Sequence, residues 1–162
     1  MADGFKKKIE DVKIGEKVLG FNKKINTVIA YDRPFLGKRK LYSINDSMAF
    51  VTNEHPFMTE NGWRSINPDA TRKETNRNCD DLTDIAELKI GDKIITDNDN
   101  SVIVKKIKEY NGDSQRLLYN FQLDGNSTYF ADSYCVHNKG IVCTSMYQTT
   151  GLQDWKRAMS IW

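Results

Sequence analysis

An eleven-residue string occurs twice in this chain, and the second copy constrains the fold more than any other feature. Residues 9 to 19 read IEDVKIGEKVL and residues 85 to 95 read IAELKIGDKII, 76 positions further on. Ile9, Lys13, Ile14, Gly15 and Lys17 are repeated as Ile85, Lys89, Ile90, Gly91 and Lys93, and every other pair except Glu10 with Ala86 is conservative. Each copy runs apolar, charged, apolar into a Gly-acid turn and then a short β-branched run, the pattern of a turn feeding a strand. Leu41-Tyr42-Ser43-Ile44 stands at nearly the same offset from Leu118-Tyr119-Asn120-Phe121. The period is too long for a solenoid and occurs only twice, so two β lobes related by a pseudo-two-fold axis are expected.

Short strand-like runs recur between these markers, at 17–21, 26–31, 40–44, 49–52, 93–96, 102–110, 117–123 and 128–131, which predicts an all-β domain. Residues 67–84, NPDATRKETNRNCDDLTD, are polar and poor in β-branched residues; they read as a mobile surface connection between the lobes. In the last twelve residues Leu152, Trp155, Met159 and Trp162 fall at three- and four-residue steps, the stripe of one short amphipathic helix outside the β unit.

Composition excludes several classes of function. With 162 residues, 39% of them hydrophobic, the chain suits one globular domain with a single core. Twenty-four basic and twenty-two acidic side chains are interspersed, and a net +2 gives no footing for nucleic acid or an anionic membrane. The start, MADGFKKKIEDVKIGEKV, has no signal-peptide core, and no stretch approaches the ~20 apolar residues of a membrane helix, so a soluble cytoplasmic protein is expected. Cys79, Cys135 and Cys143 are odd in number and lack CxxC spacing, which signals neither a disulfide framework nor a zinc site.

The two histidines carry the chemistry. His137 stands directly before Asn138 in YFADSYCVHNKG. An asparagine carboxamide can attack its own backbone carbonyl, close a succinimide and release the next residue as an amine. That amine leaves poorly, and an adjacent imidazole supplies the general acid, help worth ~10²- to 10⁴-fold. His55 lies in VTNEHPFMTENGW, three residues after Thr52. A hydroxyl and an imidazole on one tight segment can polarise a scissile carbonyl and protonate its leaving nitrogen during an acyl shift. Taken singly, each string has a plainer reading: His-Asn is a common turn, and His55 fits a strand end held by Pro56.

Together, IEDVKIGEKVLGFN, VTNEHPFMTENGW, ELKIGDKI and LLYNFQLDGNSTYFADSYCVHN resemble the Hint superfamily of inteins, bacterial intein-like domains and Hedgehog autoprocessing domains, over residues 1–138. The resemblance implies an all-β horseshoe fold and single-turnover self-processing without cofactor or metal. It assigns Thr52 and His55 to the Thr-x-x-His element that assists the amino-terminal acyl shift, His137 to the penultimate histidine and Asn138 to the cyclising asparagine. Residues 139–162 then begin a downstream host segment of the kind such domains interrupt in phage and bacterial proteins.

Three departures from the family pattern bear on the outcome. The family opens on a Cys or Ser several residues before a segment like Ala2-Asp3-Gly4, whereas this sequence starts at Met1; the cysteine that one intein class uses instead in the late motif is replaced by Asn120. Either the sequence is a fragment, the favoured reading, or a short amino-terminal partner brings the nucleophile as in a split intein. Lys139 follows Asn138 where splicing needs Cys, Ser or Thr, so cleavage is expected rather than ligation, with Cys143 the weaker candidate for a displaced acceptor. Ser127 stands where the late motif often has a histidine that helps the asparagine cyclise. The competing reading is a degenerate Hint domain retained as a structural or binding module. A Hedgehog-like transfer to sterol would need the same absent nucleophile.

Overall fold

In the computed structural model, which describes residues 1–74 and 82–138, the two copies of the repeat fold alike down to single hydrogen bonds. Gly15 donates its amide to the Val28 carbonyl and Gly91 to Val104, each at 2.8 Å; Val28 returns a bond to Glu16 and Val104 to Asp92. The acidic side chains close both turns, Glu16 accepting from the Lys13 amide at 2.8 Å and Asp92 from Lys89 at 2.7 Å. Both glycines are left-handed, with φ of 89° and 99°, where a Cβ would be strained, so the Gly-acid pair is dictated by the turn itself.

Each turn launches an antiparallel pair: β1 (Lys17–Leu19) with β2 (Ile25–Asp32), and β7 (Lys93–Ile95) with β8 (Ser101–Ile103). Their registers coincide at the repeat offset, Lys17 facing Thr27 as Lys93 faces Ile103. The next strands change places between the halves. β3 (Leu41–Ile44) pairs with β9 (Ile107–Tyr110) from the second half, and β10 (Asn120–Leu123) pairs with β2 from the first. The exchange keeps the symmetry too, since Ile44 opposite Ile107 is matched by Phe121 opposite Tyr31. Neither half can bury its apolar face alone, and the halves therefore share one core. Val12 and Leu88, Val18 and Ile94, Val28 and Val104, and Ile44 and Phe121 enter that core as symmetry mates.

The remaining strands are β4 (Phe57–Thr59), β5 (Gly62–Ser65), β6 (Ala86–Glu87), β11 (Thr128–Ala131) and β12 (Tyr134–His137). A seven-stranded sheet runs β11-β12-β4-β5-β6, with β7 joining β4 and carrying β8; β1, β2 and β10 form a second sheet and β3 and β9 a third. The all-β expectation therefore holds, with one small α-helix among the described residues.

Several local expectations need correction. The polar stretch 67–84 is not simply a connection: Pro68–Glu74 is an α-helix, α1. Asn67 caps it, its Oδ1 accepting from the Ala70 amide at 3.0 Å, and Pro68 at the first helical position is pre-set for the turn. The helix is held by polar bonds in place of an apolar stripe. Thr71 is fully buried and its hydroxyl bonds Ser65 and the Glu54 carbonyl, while Arg72 reaches the Ile85 carbonyl. The run 102–110 is broken into β8 and β9 by a bend at Lys105 and Lys106, whose amides donate to Asn45 Oδ1. Residues 49–52 contribute only an isolated bridge from Val51 to Tyr42. The expected C-terminal helix, the host segment after residue 138, Cys79 and Cys143 lie outside the described residues. Among the described residues no helix is long and apolar enough to cross a membrane.

Candidate functional site

All four residues of β12 are buried, because the strand is enclosed on both edges: β11 pairs along its full length and β4 meets it at Val136 opposite Phe57. The chain leaves that central position at His137 and Asn138, each only 2% exposed. The His137 amide donates to the Pro56 carbonyl at 3.2 Å, which places His137 beside the segment that carries Thr52 and His55. The Asn138 amide donates to the Ser127 carbonyl at 2.6 Å, in the β10–β11 loop. The segment around Pro56 and the hairpin that carries Ser127, His137 and Asn138 thus meet at the end of one strand. Among the described residues Asn138 Oδ1 is buried with no hydrogen-bond partner. Leaving such an oxygen unsatisfied costs about 1–3 kcal/mol.

Thr52 and His55 share a tight turn in which the His55 amide donates to the Thr52 carbonyl at 3.2 Å. The Thr52 hydroxyl donates to Glu54 Oε1 at 2.6 Å, both side chains being buried, and Arg39 reaches the same oxygen at 3.3 Å. A hydroxyl has one proton to give. With it engaged on a carboxylate, Thr52 offers its surroundings only lone pairs, which suits accepting from a peptide N–H and not polarising a carbonyl. The His55 ring is half-buried and stands edge-on to Phe57 at 6.4 Å. Sequence reasoning missed Glu54 and Arg39; an acidic residue inside the Thr-x-x-His string next to an apolar strand was the available signal.

A second buried polar network, also missed, supports the Ser127 loop. Asn26, 1% exposed, donates from Nδ2 to Asn126 Oδ1 and to the Thr128 carbonyl, both at 2.7 Å, and accepts from the Asn126 amide at 3.2 Å. The Thr128 hydroxyl accepts from the Phe21 amide at 2.8 Å and donates to Asn126 Oδ1 at 2.9 Å. Ser127, between these anchors, is left-handed at φ 53°. The signal lay in the pattern, since Asn26 occupies an inward position of β2 in step with Val28.

Gly20 shows how closely this network is packed. A Cβ there would lie 2.5 Å from Asn26 Nδ2, 2.6 Å from Thr128 Oγ1 and 2.7 Å from the Thr128 carbonyl oxygen. Overpacking together with a broken buried hydrogen bond makes Gly20→Ala about 3 kcal/mol less stable. Thermal denaturation should show a fall of roughly 10 °C for a domain of this size. A variant melting within about 2 °C of the parent would mean that the backbone yields there.

Cys135 is fully buried, and burial pushes its thiol up to about 12, so it stays protonated at neutral pH and supplies no nucleophile. The Asn120 carboxamide is occupied structurally, accepting from its neighbour's amide and from the Tyr129 hydroxyl. No group of three or more His, Cys, Asp or Glu among the described residues could hold a metal ion.

Solved structures share this arrangement of strands. The gp41-1 intein matches with a TM-score of 0.58 and 22% identity, over 82% of this chain and 87% of that one. The bacterial intein-like domain from Clostridium thermocellum gives 0.56 and 22% over 80% and 86%. The Msm DnaB1 intein splicing domain, solved bound with zinc, gives 0.51 and 17% over 80% and 87%. The fold is thus the intein-type Hint fold expected from the repeat and the motifs. No protein-family model matches the sequence, and no curated protein matches it either.

Proposed function

We propose that this chain is a self-processing domain that breaks its own backbone after Asn138. Asn138 Nδ2 attacks the Asn138 carbonyl carbon, a succinimide closes, and the bond to the Lys139 nitrogen breaks. His137 gives that nitrogen a proton as it leaves and recovers one from the attacking amide, so the imidazole ends as it began. The observation that carries this reading is the burial of His137 and Asn138 together at the end of β12, with both backbone amides anchored. Fixing the reacting segment in this way provides the proximity that a slow spontaneous reaction lacks.

The test is intact mass after incubation of the purified chain at neutral pH. At early times cyclisation yields two products whose masses sum to the parent with nothing added, before the succinimide takes up water on hydrolysis, whereas a contaminating protease adds one water from the start. A chain of unchanged mass after prolonged incubation would remove the proposal.

The amino-terminal partner has a specific observation in its favour. Residues 1–5 form a tight turn, with the Gly4 amide donating to the Met1 carbonyl at 3.3 Å and the Met1 nitrogen to the Phe5 carbonyl at 2.8 Å. A segment reaching Met1 from upstream would enter beside Phe5 and the exposed lysines after it. We read that segment, contiguous or separate, as the carrier of the Cys or Ser nucleophile, with Thr52 and His55 serving the bond it attacks.

A further inference from the structure

We infer that Trp63 is a positioning residue for His137, setting the plane of the imidazole beside the bond that breaks. This rests on the cleavage reading given above. The two rings meet at 5.0 Å between centroids and at 90°, and His137 is 2% exposed. The contact is a long reach, because β4 lies between β5 and β12 in the sheet. Two strand spacings amount to about 9–10 Å, a gap that a large aromatic side chain can span from the same face. Register puts both rings on that face: Trp63 pairs with Met58, and Val136 opposite Phe57 turns His137 to the Met58 side.

The chemistry gives the indole something to set. The His137 backbone is fixed by β11 and by Pro56, but neither bond fixes rotation of the imidazole about its own side-chain torsion. That torsion is broad, roughly two-fold, and a ring turned the wrong way aims its N–H away from the leaving nitrogen. An edge-to-face aromatic contact has a preferred geometry beyond simple burial, so the indole selects one orientation. Trp63 touches none of the reacting atoms in this account; it acts through His137.

Trp63→Phe, Trp63→Leu and Trp63→Ala, compared well below all their melting temperatures, separate positioning from packing. Release of the peptide that begins at Lys139 should stay within about threefold of the parent for Phe and fall by roughly tenfold or more for Leu and Ala, as an aromatic-specific contact requires. In proton NMR the His137 ring signals should carry an upfield ring-current shift in the parent that Trp63→Ala removes. If Leu cleaves as fast as Phe, or Ala as fast as the parent, the indole is ordinary packing and the inference is wrong. Absence of the ring-current shift would overturn the contact itself, whether or not the chain cleaves. A parent that shows the shift and never cleaves would instead overturn the cleavage reading, and the positioning role with it.

Discussion

Asn138→Ala should abolish release of the peptide beginning at Lys139 and leave the domain no less stable than before. The two halves of this expectation come from one observation. In the proposed reaction the carboxamide is the nucleophile, so alanine removes that reaction outright, and His137 is left with no leaving group to protonate. Yet Oδ1 of Asn138 is buried without a partner among the described residues, a placement that costs about 1–3 kcal/mol and that alanine relieves. A site kept at a cost in stability is what a reactive residue produces, since satisfying the carboxamide would also pin it. Intact mass over time and the melting temperature are the two readouts. Continued release from the alanine variant would mean that a protease or another bond is responsible. A variant destabilised by several kcal/mol would mean that Asn138 is a structural residue after all.

How much of this was legible in the sequence depended on whether a residue acts locally. The Gly-acid turns were readable because a left-handed glycine and an acidic side chain on the next residue specify the same turn in both copies. The repeat even carried the long-range pairing, though only as symmetry: nothing local in Leu41–Ile44 says that it pairs with Ile107–Tyr110 across the molecule. Helix α1 was missed for a different reason. It is held by buried Thr71 and by the exposed Arg72 bonding to carbonyls and a hydroxyl, so the apolar periodicity that normally marks a helix is absent, although Asn67-Pro68-Asp69 was a fair start signal. In the site, His55, Thr52, His137 and Asn138 stood out by residue type. Glu54 and Arg39 did not, and neither did the Asn26–Asn126–Thr128 network. Much of their meaning lies in partners more than ten residues away, Arg39 for Glu54 and Asn26 for Thr128, the latter at a separation of 102.

Ser127→His should speed release after Asn138 by about 10²-fold, the lower end of what a well-placed general acid or base contributes. The resemblance places a histidine here in many relatives, and the structure gives the position a reason. Ser127 accepts the Asn138 amide at 2.6 Å through its own carbonyl, so it stands opposite Asn138 across the β11–β12 pair. Its left-handed backbone, φ 53°, is one that histidine tolerates better than most residues, and the Asn26 network fixes the loop on both sides. A second imidazole would accept the proton that Asn138 Nδ2 sheds while His137 delivers one to the leaving nitrogen, dividing between two groups what one must now do in sequence. The gain should therefore vanish in Ser127→His combined with Asn138→Ala, and shrink in combination with Asn26→Ala, which loosens the loop. Equal release rates for parent and Ser127→His, with the fold intact, would show that proton removal from the carboxamide does not limit the reaction.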